Sequence, residues 1–297
     1  MLQLGVYKHL KVWYNRPMIL LDYNQIALAN IIVRKLDDEE LIRHMILNSI
    51  RMYNKNYRDE YGQMVICADG MNTWRKEYYP EYKANRKKTR GNSELDWNEI
   101  FRVLNTVREE IKENLPYKVL HMEGCEADDI IGALTHETQE FGKYEPVMII
   151  SSDKDFKQLH KFKNVKQFSP ALKKLIEEKH PRKYLFEHKC RGDSGDGIPN
   201  VLSPDNCFVD GLKQTPLRAT VIEFWEENLD NMPQEVVRNY QRNETLIDLS
   251  KIPEHIYNSI IQQFDSQKPA MRMKVLNYLI KKRCTNLIEV VEEFYNG

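Results

Sequence analysis

The sequence has few of the features that mark exported, membrane-bound or zinc-binding proteins. Its five cysteines form no Cys-x-x-Cys pair and have no histidines at zinc-ligand spacing, which argues against a zinc site and a disulfide scaffold. No apolar run reaches the roughly 18 residues of a membrane span, and the N-terminus lacks a signal-peptide cleavage site. The 44 basic and 44 acidic residues cancel, so any affinity for nucleic acid must come from local charge. We expect a soluble cytoplasmic protein with reduced thiols and no membrane contact.

Strand and helix patterns alternate over the first two thirds of the chain. Alternation at these intervals predicts βαβ units, and hence an α/β fold with a mostly parallel central sheet flanked by helices. After about residue 190 only helical patterns occur. We therefore divide the chain into an N-terminal extension (1–17), an α/β domain (18–190) and a C-terminal helical region (191–297). The predicted strands are 18–22, 64–69, 118–122 and 147–152.

The run from Val147 to Phe156 is the most informative single feature. An apolar, β-branched stretch leads directly into Asp153 and Asp155, which predicts a central strand whose carboxyl end faces a ligand site. Two acids this close repel each other unless a cation compensates them, and oxygen ligands favour Mg²⁺ or Mn²⁺ over zinc. The alternative is that Ser152 and Asp153 cap a helix from Lys154 to His160.

Other acids occur where the same sheet edge is expected. Asp22 and Asp69 end two further strands, and Glu126-Ala-Asp-Asp129 begins the helix after the third strand. A glycine-rich turn, 191–197, carries two more acids, although alone it is typical of a surface loop. Together these carboxylates suit two divalent cations that activate water for displacement at phosphorus. The acids are Asp22, Asp69, Glu126, Asp128, Asp129, Asp153, Asp155, Asp193 and Asp196.

The segment from Trp74 to Arg90 is basic and aromatic. It contains seven basic residues against two acidic ones, and rings interleaved with cations suit single-stranded nucleic acid. The alternative is a solvated, flexible loop. Because the segment follows Asp69, it would lie over the acidic edge, where a phosphodiester needs neutralising.

Six motifs carry a resemblance to a known family. In family order they are Leu21-Asp-Tyr-Asn24, Ala68-Asp69, Tyr82-Lys-Ala-Asn-Arg86, Glu126-Ala-Asp-Asp129, Ser151 to Leu159 and Arg191 to Val201. Over about residues 18 to 202 they resemble the flap endonuclease or 5′-nuclease family, especially its phage ribonuclease H branch. The resemblance implies a PIN-like nuclease fold with two metal ions. It assigns Asp22, Asp69, Glu126, Asp128 and Asp153 to the first ion, and Asp155, Asp193 and Asp196 to the second, with Asp129 in support.

The resemblance also assigns roles to residues that would contact nucleic acid. It places Lys83 and Arg86 as catalytic residues on a helical arch over about 71–93, and Tyr82 where it can stack on a base. The segment 191–201 resembles the start of a helix-three-turn-helix that holds duplex backbone through main-chain amides and admits a potassium ion. Many relatives continue with a Gly-x-Gly hairpin, which this chain lacks, as the phage branch does. The remaining expected contacts are Lys87, Lys88, Arg90, Gly192, Gly195 and Gly197.

The function implied by the resemblance is that of a Mg²⁺- or Mn²⁺-dependent 5′-to-3′ exonuclease and flap endonuclease with ribonuclease H activity. It would cut RNA–DNA hybrids and flap or nicked duplex DNA, leave 5′-phosphates and remove RNA primers in lagging-strand replication. Implied partners are a single-stranded-DNA-binding protein and the sliding clamp; the enzyme would be a monomer, in a host bacterial cytoplasm if phage-encoded.

Two alternatives remain open. One is a protein of the same fold that binds branched DNA without cutting it, against which the complete set of carboxylates argues. The other is a single-strand-specific ribonuclease on a related fold, which would need neither the basic arch nor the 191–201 turn.

Overall fold

The computed structural model describes residues 17–34, 38–91, 95–139 and 144–295. Within these ranges the side chains of residues 30, 33, 34 and 87–89 are not described. The predicted extension 1–17 therefore lies outside the described residues except for Pro17, as do the side chains of Lys87 and Lys88. Among the helices described, none has the length and apolar character needed to cross a membrane.

A six-stranded sheet forms the centre of the fold. The strands lie in the order β3-β2-β1-β4-β5-β6, and all neighbouring pairs are parallel except β5 with β6. This confirms the predicted mostly parallel α/β sheet and adds two strands that the sequence patterns did not indicate. The strands are β1 Met18–Asp22, β2 Gln63–Ala68, β3 Lys118–His121, β4 Val147–Ile150, β5 Val165–Ser169 and β6 Lys174–Ile176.

Helices cover both faces of this sheet and continue to the end of the chain. Those up to residue 191 are α1 Tyr23–Arg34, α2 Glu39–Tyr61, α3 Trp74–Tyr78, α4 Ala84–Gly91, α5 Trp97–Asn114, α6 Ala127–Gln139 and α7 Pro181–Arg191. Beyond them lie α8 Ala219–Glu227, α9 Gln234–Ile247, α10 Glu254–Ser266, α11 Met273–Lys281 and α12 Thr285–Ile288. Short 3₁₀ helices occupy Lys154–Lys161, Ser194–Asp196, Leu229–Asn231 and Val291–Phe294.

Alternate residues of the central strands enter two separate apolar cores. In β1, Ile19 and Leu21 belong to the core on the side of α1, α2 and α5, whereas Leu20 belongs to the core beneath α6. Because both faces are buried, the interior positions of β1, β2 and β4 are all apolar, as a parallel sheet requires. This is why their sequences are continuous hydrophobic runs.

The C-terminal helices are divided between the cores of the sheet and a smaller cluster of their own. Ile260 of α10 packs in the core beneath α6, and Leu279 of α11 packs in the opposite core. A separate small cluster joins α7, α8 and α9 around Trp225. The predicted boundary at residue 190 marks a change in the sequence pattern. Beyond it, α10 and α11 still pack in the cores of the sheet.

The carboxyl edge of the sheet is where its three acidic strands end. Asp22 is the last residue of β1, Asp69 follows β2, and Ser151 follows β4, which lies beside β1. The start of α6 lies at the same edge, because the backbone just before it passes close to Gly70. A Cβ on Gly70 would lie 1.7 Å from the Met122 carbonyl oxygen, so only glycine fits there.

Candidate metal centre

The acids at the strand ends accept hydrogen bonds from residues of neighbouring strands and helices. Asp22 is 6% exposed; its carboxylate accepts hydrogen bonds from the Gln25 amide (3.1 Å) and the Ser151 hydroxyl (2.9 Å). Asp69 accepts a hydrogen bond from the Ala127 amide at 2.9 Å. The ends of β1, β2 and β4 and the start of α6 are thus fixed relative to one another.

Asp153 caps a helix and also belongs to the acid cluster. Its carboxylate accepts the Asp155 amide at 2.9 Å, at the N-terminus of the 3₁₀ helix Lys154–Lys161. The Gln167 amide group donates to the carbonyls of Ser151 and Asp153, at 2.9 and 2.7 Å. The helix-cap interpretation of this segment is therefore confirmed, and the cap holds Asp153 and Asp155 at the end of the strand.

Burial and mutual repulsion raise the pKa values of these acids. Burial, and then Asp69, raise the pKa of Asp22 to about 7. Burial, and then Asp153, raise the pKa of Asp155 to about 7. Burial, together with Asp153, holds the pKa of Asp128 well above its ordinary value. Increases in pKa of this size require carboxylates that are poorly hydrated and close together.

These acids fit a divalent cation. They are oxygen donors, buried and mutually repelling, which is the donor set that Mg²⁺ or Mn²⁺ binds. Within the described part of the chain, the buried Asp155 Oδ1 also lacks a hydrogen-bond partner. A cation would supply the positive charge that the carboxylates need and a contact for this oxygen.

The two predicted catalytic cations contact the acid cluster directly. The Lys83 ammonium lies 2.6 Å from Glu126 Oε1 and 3.6 Å from Asp196 Oδ2, and Arg86 Nη2 lies 2.5 Å from Asp196 Oδ1. Burial would raise the pKa of Glu126, but Lys83 and Arg75 lower it to about 2. The basic segment therefore lies over the acidic edge, as predicted from the sequence.

Lys83 is held in an uncommon backbone conformation. Its φ is 57°, in the left-handed region, and its amide donates to the Asp196 carbonyl at 2.8 Å. Such backbone strain in a non-glycine residue persists only where the surroundings enforce it, and it is common at functional sites. The link to Asp196 connects the basic segment to the 191–197 turn.

The segment predicted to form a helical arch, about 71–93, contains two short helices among its described residues. These are α3 and α4, joined by a turn. Tyr82 in this turn is 2% exposed, and its hydroxyl lies 2.9 Å from Glu126 and 3.0 Å from Asp196. Stacking of Tyr82 on a base does not fit this arrangement, because the ring is packed in the protein. Arg90 lies over the ring of Trp97, 5.3 Å from its centre.

Asp129 is the predicted metal ligand that the structure places elsewhere. It is fully buried, 2.8 Å from Arg75 Nη2, and accepts a hydrogen bond from Trp74 Nε1 at 3.2 Å. Arg75, counted above among the nucleic-acid cations, is itself 3% exposed and also bonds Glu126 at 3.0 Å. Asp129 therefore anchors Arg75, and its assignment to the metal site is corrected.

The 191–197 turn uses its amides internally. The amides of Gly192, Gly195 and Gly197 donate to the His188 carbonyl, the Asp193 carboxylate and the Ser194 carbonyl, at 2.9, 2.8 and 3.3 Å. The predicted contact of these amides with duplex phosphates does not fit this conformation. Gly192 is needed for a close approach instead, since a Cβ there, at φ 68°, would lie 2.3 Å from the Ile198 carbonyl oxygen.

Sequence reasoning missed His188. Its ring lies between two predicted ligands of the second ion, with Nδ1 3.5 Å from Asp155 Oδ1 and Nε2 3.5 Å from Asp193 Oδ2. The Lys154 ammonium lies 2.8 Å from Asp193 Oδ2. The sequence feature that could have indicated this role is a histidine in the last turn of a helix that ends just before the acidic turn.

A buried carboxylate cluster at the carboxyl edge of a parallel sheet, flanked by lysine and arginine, defines a metal-dependent nuclease. Residues 27–188 match the family described as 5′-3′ exonuclease, N-terminal resolvase-like domain, and residues 185–294 match the one described as T4 RNase H, C terminal. The chain belongs to the 5′-3′ exonuclease family. This confirms the resemblance found in its motifs.

Individual relatives agree with this assignment. Ribonuclease H of Enterobacteria phage T4 is 32% identical over 297 residues, covering 95% of this chain and 97% of that protein. A 5′-3′ exonuclease of Buchnera aphidicola subsp. Schizaphis graminum is 31% identical over 156 residues, half of each chain.

Two solved structures of the bacteriophage T5 enzyme share the fold. The T5 5′-exonuclease with bound zinc ions has a TM-score of 0.60 and 17% identity, covering 84% of this chain and 98% of that one. A T5 flap endonuclease complex with DNA and metal ions has a TM-score of 0.59 and 17% identity, covering 93% of this chain and 99% of that one.

The raised pKa values predict how stability of the metal-free protein depends on pH. In the folded state Asp22 and Asp155 have pKa values of about 7, against an ordinary 3.8. The folded state therefore binds more protons than the unfolded state between these values, and the free energy of unfolding falls as pH rises. From about pH 6.5 to 8, in chelator, we expect a loss on the order of 1 kcal/mol per carboxyl. Thermal melting at a series of pH values measures this loss of stability.

The control for this pH effect is the double variant Asp22→Asn with Asp155→Asn, which should flatten the slope. Saturating Mg²⁺ should also reduce it, because a cation compensates both carboxylates. His136, whose pKa burial lowers to about 4, acts mainly below this range. An unchanged slope in the double variant would show that other groups cause the effect.

Asp129→Asn and Asp153→Asn should have opposite effects. Asp129→Asn leaves the buried Arg75 with Glu126 as its one remaining charged partner among the contacts described above, so it should destabilise the metal-free protein by about 3 kcal/mol and leave metal affinity nearly unchanged. Asp153→Asn removes repulsion, so it should leave stability unchanged or higher and weaken metal binding strongly. Melting in chelator and calorimetric titration with Mn²⁺ separate the two. Loss of metal binding with Asp129→Asn alone, in a folded protein, would restore Asp129 as a ligand.

Proposed function

We propose that this protein is a Mg²⁺-dependent 5′-to-3′ exonuclease and flap endonuclease with ribonuclease H activity, which removes RNA primers in lagging-strand replication. Its substrates would be RNA–DNA hybrids and flap or nicked duplex DNA, cut to leave 5′-phosphates. The observation that carries this proposal is the contact of Lys83 with Glu126, 2.6 Å apart. A phosphate-binding cation and a carboxylate cluster suited to divalent metal thus meet at one place. The T4 relative, named a ribonuclease H, supports the substrate class.

The residues proposed to hold the two ions are those of the acidic edge. Asp22, Asp69, Glu126, Asp128 and Asp153 would hold the first, and Asp155, Asp193 and Asp196 the second. When bound, two divalent cations lower the pKa of water and stabilise negative charge on the leaving oxygen. Mn²⁺ has similar ligand preferences and should also support activity.

The protein's own contribution is to position the phosphate. Glu126 and Asp196 now serve as the partners of Lys83 and Arg86. Compensation of those carboxylates by cations would release both basic side chains toward the non-bridging oxygens of a phosphodiester. Burial would lower the pKa of Lys83, but Glu126 and Asp196 raise it above its ordinary value. The amine is therefore charged beside these carboxylates, and a phosphate in their place would likewise favour the charged form.

The remaining parts of the proposal concern partners and location. We infer a single-stranded-DNA-binding protein and the sliding clamp as partners, a monomeric enzyme, and the cytoplasm of a bacterial host. Potassium at the 191–201 turn stays a prediction. The T5 flap endonuclease structure, a complex with DNA, supports DNA as a class of ligand.

The test of the function is cleavage of two substrates. A 5′-labelled RNA–DNA hybrid and a 5′-flap duplex are incubated with the full chain, with Mg²⁺ or with chelator, and product lengths are resolved. We expect cleavage only with Mg²⁺, and none with Asp153→Asn although that variant binds the substrate. Binding of branched DNA without cleavage by the wild-type protein would identify a non-cleaving member of the fold.

Lys83→Ala should lower the rate of the chemical step more than substrate affinity. Its charge is aimed at the phosphate, where negative charge accumulates in the transition state, so we expect kcat to fall by about 100-fold or more. Lys112→Ala, an exposed lysine of α5 outside the basic segment, is the matched control and should remain near wild type. Single-turnover rates and fluorescence anisotropy in Ca²⁺ separate the two effects. An equal loss of affinity and rate would reassign Lys83 to substrate capture.

A further inference from the structure

We propose that His188 is a nitrogen ligand of the second metal ion, alongside the carboxylates of Asp155, Asp193 and Asp196. The two metal sites would differ in chemistry, because the first would offer only carboxylate oxygens. The inference rests on the proposed two-ion function and extends it to the selectivity of one site.

The first argument is the position of the donor atoms. One oxygen from each of Asp155 and Asp193 and one nitrogen of His188 lie within 4.8 Å of one another. The two 3.5 Å distances involve different ring nitrogens, Nδ1 to Asp155 Oδ1 and Nε2 to Asp193 Oδ2, so only one of them would belong to the ligating nitrogen. Neighbouring ligands of an ion at about 2.1 Å lie about 3.0 to 3.4 Å apart. Shifts of about 1 to 2 Å from the 4.8 Å limit would therefore bring one ring nitrogen and one oxygen from each acid onto one ion.

The second argument is the lack of other partners. The His188 side chain is 6% exposed, and within the described residues neither ring nitrogen has a hydrogen-bond partner. Asp155 Oδ1, which faces the ring, likewise has none there. Buried polar atoms are nearly always satisfied, and a group of unsatisfied ones indicates a missing ligand. A cation between these atoms would satisfy the carboxylate and one of the two ring nitrogens together.

A simple ionic bridge explains the arrangement less well. A charged imidazole that paired Asp155 with Asp193 would form charge-assisted hydrogen bonds of about 2.7 to 2.9 Å. The observed distances are 3.5 Å on both sides. Lys154 already supplies a short contact to Asp193, at 2.8 Å. The spacing around His188 therefore fits an ion better than a proton.

The surroundings hold the ring in place for this role. His188 lies in the last turn of α7, and its carbonyl accepts the Gly192 amide at 2.9 Å, just before the turn that carries Asp193. The ring of Tyr184 packs against it edge-on, with centres 5.7 Å apart. Lys154, whose side chain is half exposed, can move away from Asp193 when a cation binds.

Metal selectivity follows from the change of donor. Imidazole nitrogen suits Fe²⁺, Ni²⁺ and Zn²⁺, whereas carboxylate and water oxygens suit Mg²⁺ and Mn²⁺. The second site should therefore prefer Zn²⁺ over Mg²⁺ more strongly than the first site does.

The test is pulsed electron paramagnetic resonance of the full chain loaded with Mn²⁺, together with calorimetric titration. We expect modulation from a directly bound ¹⁴N nucleus, which changes when histidine is labelled with ¹⁵N and disappears in His188→Gln. His255→Gln, an exposed histidine of α10, is the control and should retain the signal. His188→Gln should keep one tight equivalent of Mn²⁺ and bind the second at least about tenfold more weakly, a typical cost of losing a group that supports a metal.

Each outcome has a distinct meaning. Two bound Mn²⁺ ions without nitrogen modulation in the wild-type protein would overturn the role of His188 and leave the two-ion site intact. No Mn²⁺ binding at all would overturn both. The wild-type measurement with ¹⁵N-histidine needs no variant, so it decides the presence of a histidine ligand even if His188→Gln fails to fold.

Discussion

Carboxylates that end neighbouring strands are buried side by side at one edge of the sheet, and their mutual repulsion must be compensated by positive charge. Asp22, Asp69 and Asp153 come from three strands whose order and register bring them to this edge. The raised pKa of Asp22, about 7, reflects burial and the charge of Asp69. The basic segment, the start of α6 and the 191–197 turn are all arranged around this excess of negative charge.

The basic side chains that compensate the excess negative charge are of two kinds. Arg75 is buried against Glu126 and Asp129, so its pairing is a permanent part of the fold. Lys83 and Arg86 are more accessible, with 15% and 44% of their side chains exposed, and their partners belong to the proposed metal sites. A divalent cation can replace the contacts of Lys83 and Arg86, whereas the contact of Arg75 with Asp129 lies outside the proposed metal sites and remains. Pairing of basic side chains with the acidic cluster thus stabilises the fold and also places basic groups where a phosphodiester would bind.

The sequence patterns predicted the central strands because burial on both faces leaves a continuous apolar run, and an acid at its end is conspicuous. They failed where the direction of a side chain depends on distant residues. Asp129 shares a helical turn with Glu126, but Arg75, more than fifty positions earlier, decides where it points. Tyr82 looks like a surface ring among cations, yet Glu126 and Asp196 bind its hydroxyl inside the protein.

The amino-acid sequence by itself determined the α/β class, the strands that carry Asp22, Asp69 and Asp153, and the basic segment near them, because periodicity and local charge are properties of short stretches. Tertiary structure alone decided which acids face one another, that Asp129 pairs with Arg75, and that His188 lies between Asp155 and Asp193. Those contacts join residues far apart in the chain, and only the packing of α3 and α7 against the sheet edge sets their distances.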